Sequence, residues 1–325
     1  RMHEPRKLTH KRHRHTATDL PGPDGKMGTI DDFLVIVGGS DGRKSIPQIE
    51  IVRFLNGRVD EGGQEIDPGF GVEVSDAELS FSRFDHAATA LSGNRILITG
   101  GVQREQGGTL TLVAIAELLS FELQNDGTLK GTSTSHILPL PRMDHTATRL
   151  EFPVSNPDYD IVFVFGGSGV PRWAFETYDS NHRTKETYQF GRSVILGNPE
   201  ILVIPSSLER EIEVLPLDIG QSYQVARHGQ RALALQPTRD GKAQVLVTGG
   251  SLRPVMEYVG GQWDVPDRPP NGDECSTSWR FVFNDEDIRN PGVVYLPSPT
   301  GDCLLYTSDA ADEGLGVDLG GRRII

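Results

Sequence analysis

Four short apolar runs, each closed by a pair of glycines, constrain this chain more than any other feature. They are LVIVGG at 34–39, ILITGG at 96–101, VFVFGG at 162–167 and VLVTGG at 245–250. Each has the length and the Val, Ile and Leu content of a buried strand rather than a helix. Glycine tolerates φ > 0 and lets a second backbone approach closely, so a glycine pair ending a strand marks a sharp bend. The pairs are Gly38 and Gly39, Gly100 and Gly101, Gly166 and Gly167, and Gly249 and Gly250.

Two further strings keep step with these runs. Upstream stand RHRHTATDL at 12–20, RFDHAATAL at 83–91 and RMDHTATRL at 142–150. A degenerate version, RHGQRALAL at 227–235, carries Gln230 at the histidine position. Downstream, a glutamate is followed four residues later by phenylalanine, at Glu50/Phe54, Glu117/Phe121 and Glu186/Phe190. MEYVGGQW at 256–263 reads as the fourth version, through Glu257. Turns NGRV at 56–59 and NDGTL at 125–129 then introduce a fourth strand. No convincing amphipathic helix interrupts the series. Repetition of this kind is the signature of architecture before it is one of chemistry.

The expected fold is therefore all-β: a β-propeller of four-stranded blades, four to five of them visible, truncated at both ends. A lone four-stranded sheet cannot cover both of its apolar faces, whereas stacking blades around an axis covers them. The blades are expected at approximately 10–60, 80–130, 140–196 and 225–265, with a partial one at 289–302. The extra length of the units sits in loops, notably 168–185, 191–226 and 259–288.

The combined pattern, Arg-x-x-His-Thr-Ala-Thr, then the apolar run and Gly-Gly, then Ala-Glu-Leu and Phe, resembles the kelch repeat. AELLSFELQNDGTL at 116–129 carries it most fully. The resemblance is to the kelch-type propellers of bacterial secreted and cell-surface proteins, and it spans about 10–302. It implies a rigid scaffold that presents loops, and an extracytoplasmic setting. The units here exceed the roughly 50 residues of a kelch unit, and the visible blades are few, so an open or strained arc is expected.

Residues 303–325, CLLYTSDAADEGLGVDLGGRRII, resemble a translated sequencing-library adapter rather than natural protein. They are set aside from the fold, which is expected over 1–302. Of the two cysteines, Cys275 and Cys303, only Cys275 then remains, with no C-x-x-C partner and no histidine close in sequence. A loop thiol is the simplest expectation for it.

Composition limits the function classes. The 325 residues are 36% hydrophobic and 24% charged, ordinary for a globular chain, and the formal net charge is −13. That charge is spread along the chain and argues against a nucleic-acid footprint. No apolar stretch is long enough to span a bilayer, and no signal peptide is visible. There is no P-loop and no G-x-S-x-G.

Candidate residues fall into repeat positions and loop positions. His15, His86 and His145 occupy equivalent places and could converge on an axis to hold a metal. Gln230 breaks that ring, and the preferred reading is hydrogen bonding within or between blades. Arg12, Arg83, Arg142 and Arg227 precede the inner strands. They could bind an anion, but are read as ion pairs or backbone hydrogen bonds to a neighbouring blade, with Glu50, Glu117, Glu186 and Glu257 as partners. DLPGPDGKMGTIDD at 19–32 has Asp19, Asp24, Asp31 and Asp32 but not the calcium-loop spacing, and reads as a hairpin loop. The basic opening, RMHEPRKLTHKRHRH, reads as a frayed strand.

The insertion PRWAFETYDSNHR at 171–183 offers Arg172, Trp173, Phe175 and Tyr178, the residue types enriched at binding hot spots. The expected function is accordingly a non-enzymatic scaffold recognising a protein or other ligand through its loops. No catalytic residue, metal or cofactor is assigned. The alternatives are a carbohydrate-binding propeller using Trp173 and Tyr178, and a copper-radical oxidase resembling galactose oxidase. The oxidase chemistry needs a Cys–Tyr cross-link to which Cys275 has no evident assignment.

Overall fold

A computed structural model describes residues 7–29, 31–54, 70–105, 110–124, 129–138, 141–153, 156–169, 187–189, 194–195, 199–207, 210–217, 227–251, 257–259, 262–264, 278–284 and 287–296. Among these residues the regular structure is entirely β. No helix among them is long and apolar enough to cross a membrane.

Sixteen strands build four sheets of four. The first holds β1 (Thr16–Leu20), β2 (Phe33–Val37), β3 (Gln48–Phe54) and β4 (Phe70–Glu78). The second holds β5 (Ala87–Leu91), β6 (Arg95–Thr99), β7 (Ile115–Leu123) and β8 (Leu129–Ile137). The third holds β9 (Thr146–Arg149), β10 (Tyr159–Phe165), β11 (Glu200–Pro205) and β12 (Glu213–Pro216). The fourth holds β13 (Arg231–Leu235), β14 (Ala243–Thr248), β15 (Ser278–Asn284) and β16 (Asp287–Leu296). Every sheet is an antiparallel meander in sequence order.

Registers repeat as strictly as the order. Ala17 faces Ile36, Ala88 faces Ile98, Ala147 faces Val164 and Ala232 faces Val247. The small residues of β1, β5, β9 and β13 suit them to lie side by side. They do so in succession, β1 against β5, β5 against β9 and β9 against β13. Thr89 Oγ1 donates to Ala147 O across one such contact at 2.9 Å.

Alternation sends one side of each central strand to each neighbouring sheet. Phe33, Val35, Val37, Ile49 and Ile51 pack against Ile96, Ile98, Leu119 and Phe121 of the second sheet. From its other side, Leu97 and Leu118 meet Val162, Val164, Leu202 and Ile204 of the third. Phe163, Phe165 and Ile201 then meet Val245, Val247, Phe281 and Phe283 of the fourth. Phe163 lies 4.9 Å from Phe281 and 5.1 Å from Phe283, centroid to centroid. This layering makes the architecture propeller-like. Among the described residues no strand pairing joins the fourth sheet to the first.

Two strand assignments differ from the sequence reading. The third strand of the third sheet is β11, not the Glu186/Phe190 string. Residues Thr187–Gln189 pair instead with Leu110–Val113, a strand of the preceding unit's loop. In the fourth sheet the third strand is β15, whereas Glu257–Val259 folds back on Gln262–Asp264 as a separate ribbon. The segment read as opening a fifth unit at 289 lies within β16, which closes the fourth sheet.

Candidate functional site

The Arg-x-x-His turn joins one sheet to the one before it. Each arginine first anchors within its own sheet, donating from Nη1 to the carbonyl of the first glycine: Arg12 to Gly38 at 2.9 Å, Arg83 to Gly100 at 2.9 Å, Arg142 to Gly166 at 3.1 Å and Arg227 to Gly249 at 2.9 Å. The other end of the fork takes a glutamate from the third strand. Arg12 Nη2 meets Glu50 at 2.6 Å, Arg83 Nη2 meets Glu117 at 2.5 Å, and Arg142 Nη2 meets Glu200. The carboxylate therefore belongs to the arginine's own sheet, not to a neighbouring blade. Glu200 partners Arg142, and Glu186 lies outside the described residues. Glu50, Glu117 and Glu200 share one register place, opposite Ile36, Ile98 and Val164. The same place in the fourth sheet, opposite Val247, is Trp279.

The arginine backbone makes the joint itself. Gly39 N–H donates to Arg83 O at 2.8 Å, Gly101 to Arg142 O at 2.7 Å and Gly167 to Arg227 O at 2.8 Å. Such an approach excludes a side chain on Gly38, Gly100 and Gly166. A Cβ on Gly100, at φ 58°, would run into Arg142 O. One on Gly38 would sit 2.6 Å from His86 Cε1.

The histidine closes over that glycine. His86 Nε2 lies 2.8 Å from Thr16 Oγ1, and His145 Nε2 lies 2.8 Å from Thr99 Oγ1, each hydroxyl on the preceding sheet. At the third joint the Thr146 hydroxyl, in the register place of Thr16, is turned to Phe165 O. Gln230 stands there instead and donates from Nε2 to Phe165 O at 2.7 Å. Burial, reinforced by Arg83, holds His86 down at about 3, and burial with Arg142 holds His145 well below the ordinary range. Both are neutral imidazoles. His15, with no described sheet before it, is exposed.

The residue just before the histidine carries the chemistry that sequence reading passed over. Arg14, Asp85, Asp144 and Gly229 all take positive φ, at 59°, 54°, 51° and 65°. Asp and Gly tolerate this region best, which was the available signal inside the quoted strings. Their backbones form a rung across four sheets: Gly229 N–H to Asp144 O at 3.0 Å, Asp144 to Asp85 O at 3.1 Å, Asp85 to Arg14 O at 3.4 Å. Arg14 Nε donates to Asp85 Oδ1 at 2.5 Å, and the Arg14 guanidinium lies 5.0 Å from the Phe84 ring centroid. Burial raises Asp85 to about 7, with the neighbouring Asp144 adding to the shift and Arg14 opposing it. Asp144 is raised as well, by burial, against Arg14, His228 and Arg231. An arginine followed by two adjacent carboxyl groups thus lies along the inner-strand starts. This set can exchange a proton near neutrality or orient a charged group.

Loop candidates are placed unevenly. Arg172, Trp173, Phe175, Tyr178 and Cys275 lie outside the described residues. The 19–32 loop joins β1 to β2, and its carboxylates serve the loop itself: Asp32 Oδ2 accepts from Gly28 N–H at 2.6 Å, and Asp31 accepts from Asp24 N–H at 3.1 Å and from Thr29 Oγ1 at 2.6 Å. The Thr29 hydroxyl holds Asp31 below the usual carboxylate range. Among the described residues no three His, Cys, Asp or Glu side chains cluster as metal ligands.

The class this defines is an all-β, propeller-like assembly of interlocked four-stranded meanders. No protein-family model matches the chain, and no curated protein does. Among solved structures, that of YjhT matches at a TM-score of 0.49 and 9% identity, over 91% of this chain and 68% of that one. A fungal alcohol oxidase of the AA5 family, in complex with copper, matches at 0.37 and 13% identity, over 90% of this chain and 54% of that one. This chain thus spans about half the length of the oxidase.

Proposed function

We propose that the protein is a non-enzymatic recognition scaffold, whose sheets hold a set of loops at one end and whose ligand is a protein or a glycan. The observation that carries this reading is where the loops leave. The residue after each arginine bridges the residue after each glycine pair: His13 with Ser40, Phe84 with Val102, Met143 with Ser168, His228 with Ser251. All four connections from second to third strand therefore depart beside the Arg-x-x-His turns. Added structure gathers there, such as Val102–Arg104 paired with Leu110–Val113, and that strand with Thr187–Gln189. Meanwhile Arg83, Arg142, His86 and His145 are engaged in the joints, which leaves specificity to the loops. The 171–183 insertion, rich in hot-spot residue types, belongs to the third of these connections. An exported, bacterial setting is part of the same reading.

Screening the protein against a glycan array and a displayed peptide library tests it. A ligand is expected whose binding is lost when 171–183 is replaced by a Gly-Ser linker, with the melting temperature kept. Copper-dependent peroxide release from a primary alcohol would contradict it.

A further inference from the structure

Two loop segments meet where the connections of the first and second sheets leave. Ser45 N–H donates to Arg104 O at 3.2 Å, Arg104 N–H donates to Ser45 Oγ at 2.8 Å, and Arg104 Nη1 donates to Gly42 O at 3.1 Å. The turn so held, 41–44, carries Arg43 and Lys44, both exposed. Arg104 and Arg14 approach one ring, that of Phe84, at 5.7 and 5.0 Å from its centroid. Cations of both sheets are thus gathered on one small surface. Two nearby carboxylates are already engaged. Asp41 accepts from Arg43 N–H at 2.7 Å and from Lys44 N–H at 2.8 Å, and so caps its own turn. Asp85 takes Arg14. Glu105, next in sequence to Arg104, is exposed. Among the described residues no carboxylate lies within ion-pair distance of Arg43, Lys44 or Arg104. Arg53, Arg149 and Lys242, by contrast, each have one.

We propose that this surface docks an acidic polysaccharide, whose carboxylates or sulfates pair with Arg43, Lys44 and Arg104. The formal net charge of the chain is −13, so a polyanion is repelled by most of the exterior and admitted where unpaired cations gather. Protein partners are gripped through buried aromatic or apolar anchors. This surface offers none. Phe84, Val102 and Ile46 are buried, and the exposed large apolar side chains among the described residues, such as Met27, Leu123 and Leu233, lie on other segments. A polar, cationic surface without an apolar anchor suits a hydrated chain held by charge at several points. Arg104, set by Gly42 O and the Phe84 ring, offers a fixed guanidinium, and Arg43 and Lys44 add two adaptable charges. The proposal rests on the recognition reading above and gives it a ligand class at the loops of the first two sheets.

Biolayer interferometry on immobilised alginate and dextran sulfate at low ionic strength tests this, the first presenting carboxylates and the second sulfates. Binding to at least one is expected, weakening as salt is raised and absent on unsulfated dextran. Arg43→Glu with Lys44→Glu reverses two exposed charge contacts and is expected to weaken binding about tenfold or more. Lys26→Glu with Lys130→Glu changes the net charge equally, at exposed sites on the other ends of the first and second sheets, and is expected to leave binding unchanged. Circular dichroism confirms that both variants are folded. No binding to either polysaccharide overturns the proposal alone where a screened ligand still binds through 171–183, and the recognition reading with it where none does. Equal effects of the two double variants also overturn it. So does poly-glutamate bound as tightly as the polysaccharides, which would make the ligand an acidic peptide.

Discussion

Arg83 shows how one side chain organises a unit. Fully buried, it donates to Phe81 O, Gly100 O, Ile115 O and Glu117, and so ties the turn, the glycine pair and the third strand together. A planar fork can serve several acceptors at fixed angles, and a lysine cannot. Arg83→Ala leaves the buried Glu117 without its counter-charge, and is expected to cost about 3–5 kcal/mol in a denaturant titration. Glycine positions separate in a similar way. Gly93, at φ 72°, has nothing described within 4 Å of a Cβ position, so Gly93→Ala is expected to cost only about 1 kcal/mol. Gly100→Ala adds a collision with Arg142 O and should cost about 3 kcal/mol or more.

Two residues give opposite pH dependences. The folded-state value of His86, about 3, lies below its ordinary value, so the unfolded chain binds the extra proton. Its contribution to stability is present above about pH 6.5 and lost as pH falls toward 3. Asp85 is raised to about 7, so its contribution is present below about pH 4 and lost as pH rises through 7. Melting temperatures against pH should show His86→Gln, which imitates Gln230, with a shallower acid limb. Asp85→Asn should show a smaller loss of stability between pH 4 and 8 than the wild type.

At the scale of elements, the glycine-pair strands were legible because their pattern survives intact in every unit, and the inner strands because three units keep Arg-x-x-His and the fourth keeps its arginine. The third strands were legible only where both marker residues remain. In β3 and β7 the glutamate and the phenylalanine stand four apart, at Glu50/Phe54 and Glu117/Phe121. In β11 the glutamate survives as Glu200, but Ile204 takes the phenylalanine place. In β15 the phenylalanine survives as Phe283, but Trp279 takes the glutamate place. Each half-signal was outbid by a decoy, Glu186/Phe190 or Glu257, lying inside a long insertion. The carboxyls before the histidines escaped for a different reason. Asp85 and Asp144 are explained locally by positive φ, and only the assembled rung brings them together. Glu200→Gln should lower the melting temperature much as Glu117→Gln does, since both carboxylates pair with a buried arginine.

In the whole molecule, four sheets are locked into one succession by a joint built from two backbones: the second glycine of one sheet and the arginine carbonyl of the next. Apolar layers between sheets supply the cohesion, and the joints fix how each sheet is set against its neighbour. Amide hydrogen exchange of the native protein at low concentration tests this most directly. The account predicts slow exchange at Gly39, Gly101 and Gly167, comparable to the central strands, and fast exchange at Gly250. Exchange at Gly39, Gly101 and Gly167 as fast as at Gly250 would contradict it, because the sheets would then be joined by side-chain packing alone.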